Sequence, residues 1–160
     1  MCECYSTGNV SFLILGNVCT RNCAFCAVQK GVPEQVNAAE ARAIADAVRK
    51  LSLRYVVITS VTRDDLSDGG ANHYTEVVQA IKYAVPSVIV EVLTPDFNGS
   101  TDAVMSVIRS GANVFSHNME TVERLYPAIR PLASYQRSLK ILAFAAREAK
   151  ISVKSGFMVG

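Results

Sequence analysis

The sequence predicts an α/β protein built on a parallel sheet, and three observations carry that prediction. Short runs rich in β-branched and apolar residues recur at 10–16, 54–60, 87–93, 112–117 and 151–158. The segments between them repeat apolar residues at helical spacing, with Gly or Pro marking several boundaries. A strand followed by four helix–strand units needs crossovers that return each strand in the same direction, so neighbours are parallel.

Residues 10–16 (VSFLILG) read as the first strand, stopped by Gly16. A cysteine-bearing loop follows, and 30–33 (KGVP) is turn-rich. Ala41, Ile44, Ala45, Val48 and Leu51 form one apolar face, predicting a helix over 38–51. Residues 54–60 (RYVVITS) carry too many β-branched side chains for a helix and read as a buried strand. A polar loop covers 61–70. Tyr74, Val77, Val78, Ile81 and Ala84 then mark a second helix, ended by Pro86.

The third strand is 87–93, followed by a loop over 95–99. Ser100 suits the N-cap of a helix carrying Val104, Val107 and Ile108, and Gly111 suits its stop. The fourth strand is 112–117. A short helical piece is predicted at 120–126, before Pro127. Ser134 caps a long helix reaching Ala149, with Leu139, Leu142, Ala145 and Ala146 on one side. The fifth strand starts at Ile151. Such a sheet is either open and doubly wound or an arc of a barrel, and pattern alone does not choose. A complete (β/α)8 barrel takes about 250 residues, which the 160 here do not supply.

Composition excludes several classes. Sixteen basic against fourteen acidic residues give a net charge of +2, far from that of a dedicated nucleic-acid binder. A hydrophobic fraction of 50% argues against disorder. No apolar run reaches the roughly 18 residues a membrane span needs. The first six residues contain Glu3 and no basic start, so no secretory signal is expected. A cytoplasmic, reducing setting is the expectation, with neither nucleic acid nor membrane as partner.

The five cysteines carry the chemistry. Cys2, Cys4, Cys19, Cys23 and Cys26 all fall in the first 26 residues, and an odd, clustered set does not describe a disulfide scaffold. Cys19, Cys23 and Cys26 form C-x3-C-x2-C, at the C-terminal end of the first strand. Three thiolates on one short loop can hold three corners of a [4Fe–4S] cluster and leave one iron open to a small ligand. Structural zinc would want a fourth ligand, and neither Cys4 nor His73 stands at a characteristic spacing.

C-x3-C-x-aromatic-C after a first strand, with Phe25 as the aromatic, is similar to the signature of the radical S-adenosylmethionine (SAM) superfamily. Longer words narrow the resemblance. FLILGNVCTRNCAFCAVQ (12–29), YVVITSVTRDDLSDGGA (55–71), FSHNMETV (115–122), LYPAIRP (125–131) and KSGFMVG (154–160) resemble the lipoyl synthase family almost end to end. The resemblance implies a partial parallel (β/α) barrel of the radical SAM type, with five of the usual six strands. It divides the chain into 1–9, a remnant of an N-terminal auxiliary-cluster segment, and 10–160, a truncated barrel domain. It implies insertion of two sulfur atoms at C6 and C8 of an octanoyl group, carried on a lipoyl carrier domain or an H-protein-like carrier. The implied cofactors are two [4Fe–4S] clusters and SAM, with ferredoxin or flavodoxin as electron donor.

Residue by residue, the resemblance makes Cys19, Cys23 and Cys26 ligands of the radical-generating cluster and puts Phe25 near the adenine. Asn118 and Glu120 fall at the level that holds ribose and methionine groups. Thr59 and Ser60 end the second strand. Arg63, Asp64, Asp65, Asp68, Gly69 and Gly70 occupy the place of a strap for the methionine amino group. Lys154, charged within an apolar strand, suits a ligand carboxylate or a protein carboxylate. His117 is a candidate to line the cavity, His73 to serve structure, and Arg130 to lie near the substrate.

The chain departs from the family at the auxiliary cluster. Cys4 matches one of its three cysteines, whereas Cys2 stands where the family has Gly. A central fragment is therefore expected, able to bind the first cluster but not to complete sulfur insertion alone. The alternatives are another single-cluster radical SAM enzyme, which should lack the RDDL and KSGF words, and a non-catalytic, metal-stabilised α/β module.

Overall fold

The computed structural model describes residues 8–159. Cys2 and Cys4, and with them most of the segment assigned to an auxiliary cluster, lie outside the described residues. Seven strands are present: β1 (Asn9–Ile14), β2 (Val18–Cys19), β3 (Gln29–Lys30), β4 (Tyr55–Ser60), β5 (Ile89–Leu93), β6 (Val114–Ser116) and β7 (Ser152–Lys154). The helices are α1 (Glu40–Lys50), α2 (Ala71–Ala84), α3 (Thr101–Arg109), α4 (Tyr126–Ile129) and α5 (Tyr135–Glu148).

The main sheet runs β1-β4-β5-β6-β7, and every neighbouring pair is parallel. Successive units therefore lie side by side with no reversal of order, which decides for a barrel arc and against a doubly wound sheet. Val56, Ile58, Val90, Val92 and Phe115 point to one face and are fully buried. Of their alternates on the other face, Leu13 and Ile89 are exposed, Val57, Thr59 and Leu93 half-buried, and Glu91 buried. Helices cover only the first face, α1 packing on α2, α2 on α3 and α3 on α5. The core thus lies between sheet and helices, and the concave face stays open.

Local sequence explains most boundaries. α2 buries Tyr74, Val77, Val78 and Ile81 completely, at i, i+3, i+4 and i+7. Each such side chain contributes about 1.5–3 kcal/mol. Ser100 and Ser134 cap α3 and α5 by accepting from the Ala103 and Arg137 amides. Gly111, with φ 106°, terminates α3.

Three expectations need correction. The helical piece before Pro127 instead begins as a 3-10 turn at Glu123–Leu125 and runs through Pro127 as α4. Proline fits there because the first turn of a helix has no partner for its missing N–H. The buried stripe of α5 is Ser138, Ile141 and Ala145, while Leu139 is exposed. The helix is rotated so that Ser138 reaches His117. The fifth strand is confined to Ser152–Lys154, with Phe157 adding one isolated bridge to Glu120. No helix among the described residues is long and apolar enough to cross a membrane.

Candidate functional site

The cysteine loop is shaped from both ends. After β1, Leu15 and Gly16 take positive φ values of 66° and 86°, turning the chain across the top of the sheet. The Leu15 amide donates to Glu40 Oε2 at 3.0 Å, and His73 Nε2 meets the same oxygen at 2.7 Å. β2 and β3 then pair, Val18 with Gln29 and Cys19 with Lys30. The Gly31 amide donates to the Cys19 carbonyl at 3.0 Å. This two-stranded neck, absent from the sequence reading, closes residues 20–28 into a loop.

Further bonds fix the loop to the barrel. The Thr20 amide donates to Thr62 O at 3.1 Å, and the Ala24 amide to Ile129 O at 2.8 Å. Cys19 Sγ accepts from the Arg21 and Thr62 amides at 3.4 and 3.3 Å. Arg21 lies under the loop, almost completely buried. Its Nε and Nη2 donate to Asp64 at 2.7 and 2.8 Å, and its Nη1 and Nη2 to Asp96 at 3.0 and 2.7 Å. Burial works to raise both carboxyls, but the Arg21 guanidinium outweighs it and holds each below the usual carboxylate range.

A cavity of about 270 Å³ opens at the C-terminal mouth of the sheet. Cys19, Cys23, Cys26 and Phe25 line one wall. Thr59, Ser60, Thr62 and Thr94, at the strand ends, also line it; Asn118 and Glu120 follow β6, on the far side of the sheet from β1, and Arg130 lies between them and the cysteine loop, bonded to the Asn118 carbonyl and next to Ile129. Leu13, Val28, Leu93 and Pro95 add apolar surface. All three thiols are unbridged and half-buried. Among the described residues, no three His, Cys, Asp or Glu side chains stand close enough to hold a metal ion. The thiols share a cavity wall without converging on one point. As a donor set, three free thiols on one wall fit a soft three-point metal site, whose final geometry the metal itself imposes.

The far side is held by the chain beyond β7. Glu120 has φ 65°, a conformation costing a non-glycine residue about 1–2 kcal/mol. Its amide donates to Gly156 O at 3.0 Å, and its carbonyl accepts from the Met158 amide at 2.9 Å. Arg130 Nη1 donates to the Asn118 and Met119 carbonyls at 3.1 and 3.3 Å and to the Tyr126 hydroxyl at 3.1 Å. Its guanidinium lies 5.3 Å from the Tyr126 ring centroid, and its Nε is buried without a hydrogen-bond partner. The resemblance made Arg130 a candidate to lie near the substrate. The structure puts it on the cavity wall.

His117 also borders the cavity but is buried and satisfied. Nδ1 lies 2.9 Å from the Thr94 carbonyl, which can only accept, so Nδ1 carries the proton. Nε2 then accepts from the Ser138 hydroxyl, also at 2.9 Å. Burial pushes the imidazole below its ordinary value.

The structure thus gathers Cys19, Cys23, Cys26, Phe25, Thr59, Ser60, Asn118 and Glu120 around one cavity. Seven other expected residues, Arg63, Asp64, Asp65, Asp68, Gly69, Gly70 and Lys154, do not line it. The Asp68 carboxylate accepts from the Gly70 and Asn72 amides at 2.9 and 2.8 Å, capping α2. A Cβ on Gly69 would stand 3.1 Å from the Phe97 ring, and one on Gly70 would collide with Leu15 Cδ1. These glycines make room for packing. Lys154 Nζ is 3.0 and 3.1 Å from the Glu91 oxygens, and Tyr55 donates to the same carboxylate at 2.5 Å. Burial, with help from Glu91, pushes the Tyr55 phenol up to about 12. The cavity-facing part of the loop after β4 is 59–62, and Arg63 already turns away to pair with Asp65.

Comparison with known proteins gives three findings. The Radical SAM superfamily profile matches residues 13–160. Over 99% of its length the chain is 53% identical to the lipoyl synthase of Caldicellulosiruptor bescii and 54% identical to that of Pyrobaculum calidifontis. It is 50% identical to that of Sulfolobus acidocaldarius, again over 99% of the chain. It covers 55, 55 and 54% of those proteins respectively, so it spans about half the length of the curated relatives it matches. Among solved structures, methylornithine synthase (PylB) superposes with a TM-score of 0.72 at 17% identity, covering 99% of this chain and 50% of that one. The hydrogenase maturase HydG superposes at 0.77 and 14% identity, covering 95 and 35%. At those identities the likeness is one of fold.

Proposed function

Because the chain belongs to the radical SAM superfamily, we propose that Cys19, Cys23 and Cys26 hold a [4Fe–4S] cluster and that the adjoining cavity takes S-adenosylmethionine. The observation that carries this is the shared cavity, whose lining combines three free thiols with Asn118, Glu120 and Arg130 at the sheet's C-terminal mouth. When bound, the cluster supplies the electron that splits S-adenosylmethionine into methionine and a 5′-deoxyadenosyl radical.

The chain's own residues bind and orient. Phe25 offers the adenine a flat apolar face. Asn118 and the Glu120 carboxylate suit ribose hydroxyls and the methionine ammonium. Arg130, a guanidinium on the cavity wall, suits the methionine carboxylate. Lys154, expected in that role, has its charge taken up by Glu91. Leu13, Leu93 and Pro95 offer apolar surface beside the reacting end.

The likeness to lipoyl synthases extends the reading. In it, these residues form the radical-generating half of a site that inserts sulfur at C6 and C8 of an octanoyl group on a lipoyl carrier domain or H-protein-like carrier. A ferredoxin or flavodoxin supplies electrons and an auxiliary cluster the sulfur.

The test is anaerobic reconstitution with iron and sulfide. A brown chain with near four irons is expected, lost on replacing Cys19, Cys23 or Cys26 with Ala and largely kept in Cys2→Ala. A colourless chain would support the non-catalytic α/β module instead, zinc-stabilised or metal-free.

A further inference from the structure

We propose that Arg21 is the positioning residue of the cysteine loop. Its guanidinium pins the chain between Cys19 and Cys23 to the barrel, so that the loop backbone is held at the cavity mouth before a cluster arrives and only the thiol side chains need to turn onto it. This rests on the reading that those thiols hold a cluster.

The residues of a C-x3-C loop have little reason to hold one shape, since nothing regular orders them. Here the middle of the loop is anchored from below. Arg21 makes two-pronged contacts with Asp64, after β4, and with Asp96, after β5, and Nη2 adds Asn98 Oδ1 at 3.1 Å. Asp96 is completely buried and is shared with Arg137 Nε of α5 at 2.8 Å. Thr20 Oγ1 adds a contact to Asp64 Oδ2 at 3.3 Å. Two acids and two guanidiniums balance in charge. The planar fork of arginine matches two carboxylates at once, which a lysine ammonium cannot do. Only Arg21 belongs to the loop. Arg137 braces Asp96 from the far side and touches no residue between Cys19 and Cys26 in this network.

That asymmetry separates positioning from plain stabilisation. Ordering a loop costs conformational entropy, and a loop held in advance does not incur that cost when its ligand binds. Losing the Arg21 fork should therefore weaken the hold on iron, whereas losing the Arg137 contact should only lower the melting temperature.

The experiment compares Arg21→Lys, Asp64→Asn and Arg137→Lys in the full chain, reconstituted with iron and sulfide. Three readouts are taken: melting of the iron-free chain, the rate of iron loss to a chelator, and the spin-resonance spectrum after reduction. Arg21→Lys is expected to release iron about tenfold faster with an altered spectrum. Asp64→Asn, at the partly exposed edge, should fold in any case and release iron about threefold faster. Arg137→Lys should melt lower yet release iron at the parent rate. Parental release from both Arg21→Lys and Asp64→Asn would overturn the proposal. So would equal acceleration in Arg137→Lys. A parent chain that takes up no iron would sink the cluster reading rather than the role of Arg21.

Discussion

Gly156 lies so close to Asn118 that a Cβ at position 156 would stand 2.7 Å from Asn118 Oδ1. The turn after β7 therefore sets where a cavity-lining amide can sit. Gly156→Ala should displace Asn118 with little loss of fold, since Gly156 lacks a positive φ. The expected outcome is roughly tenfold weaker S-adenosylmethionine binding to the reconstituted chain, about 1.4 kcal/mol, measured by equilibrium titration. Unchanged affinity would remove Asn118 from the binding site.

Gly70→Ala should do the opposite. Gly70 has φ 90° and abuts Leu15. A side chain there faces both backbone strain and a collision, together about 1–3 kcal/mol. Thermal melting should fall while cofactor affinity of the surviving folded chain stays put. A selective loss of affinity would restore the strap role expected for Asp68, Gly69 and Gly70.

His117 gives a pH dependence of definite sign. Its folded value lies below the ordinary 6.5 because burial disfavours the imidazolium. The unfolded chain therefore binds the extra proton first. Stability should be full above 6.5, decline as pH falls through that value, and level off once the folded value is passed. Denaturant unfolding at stepped pH, compared with His117→Gln, measures it. A variant with the parent's slope between pH 7 and 5 would exclude His117 as the cause.

The Tyr55–Glu91–Lys154 group predicts a spectroscopic difference. Tyr55 should ionise near 12. In Glu91→Gln the phenol loses a charged acceptor while remaining partly buried, so it should titrate lower. Ultraviolet difference titration of variant against parent should show one additional tyrosine ionising between pH 10 and 12.

Much of this was legible in the sequence. Runs such as 54–60 fixed the strands because β-branched side chains leave few other options, and the order of units implied parallel neighbours. The cysteine spacing pointed to the loop, and the position of Asn118 and Glu120 after β6 pointed to the same mouth. What stayed hidden depends on long-range pairing. Nothing local marks Lys154 as the partner of Glu91, 63 positions earlier. Nor does anything local tell a glycine that approaches a ligand from one that makes room for Leu15. Arg21 stood inside the motif, but its meaning depends on Asp96, which reads as an ordinary loop acid. The two-residue neck of β2 and β3 is too short for any periodicity to show.

The buried guanidinium network also has a consequence in time. Asp96 follows Arg21 by 75 positions, and Arg137 follows Asp96 by another 41. A ribosome adding about 5–20 residues per second brings out Asp96 roughly 4–15 s after Arg21. Until then the loop has only its partly exposed ties to Thr62 and Asp64 and lacks the buried half of its anchor. Metallation thus belongs after release of β5 and the Asp96 that follows it, and the interval before it is when Cys19, Cys23 and Cys26 are open to oxidants. Stalled chains of graded length, probed with a thiol reagent, should lose Cys23 labelling once Asp96 has emerged, with no further step at Arg137.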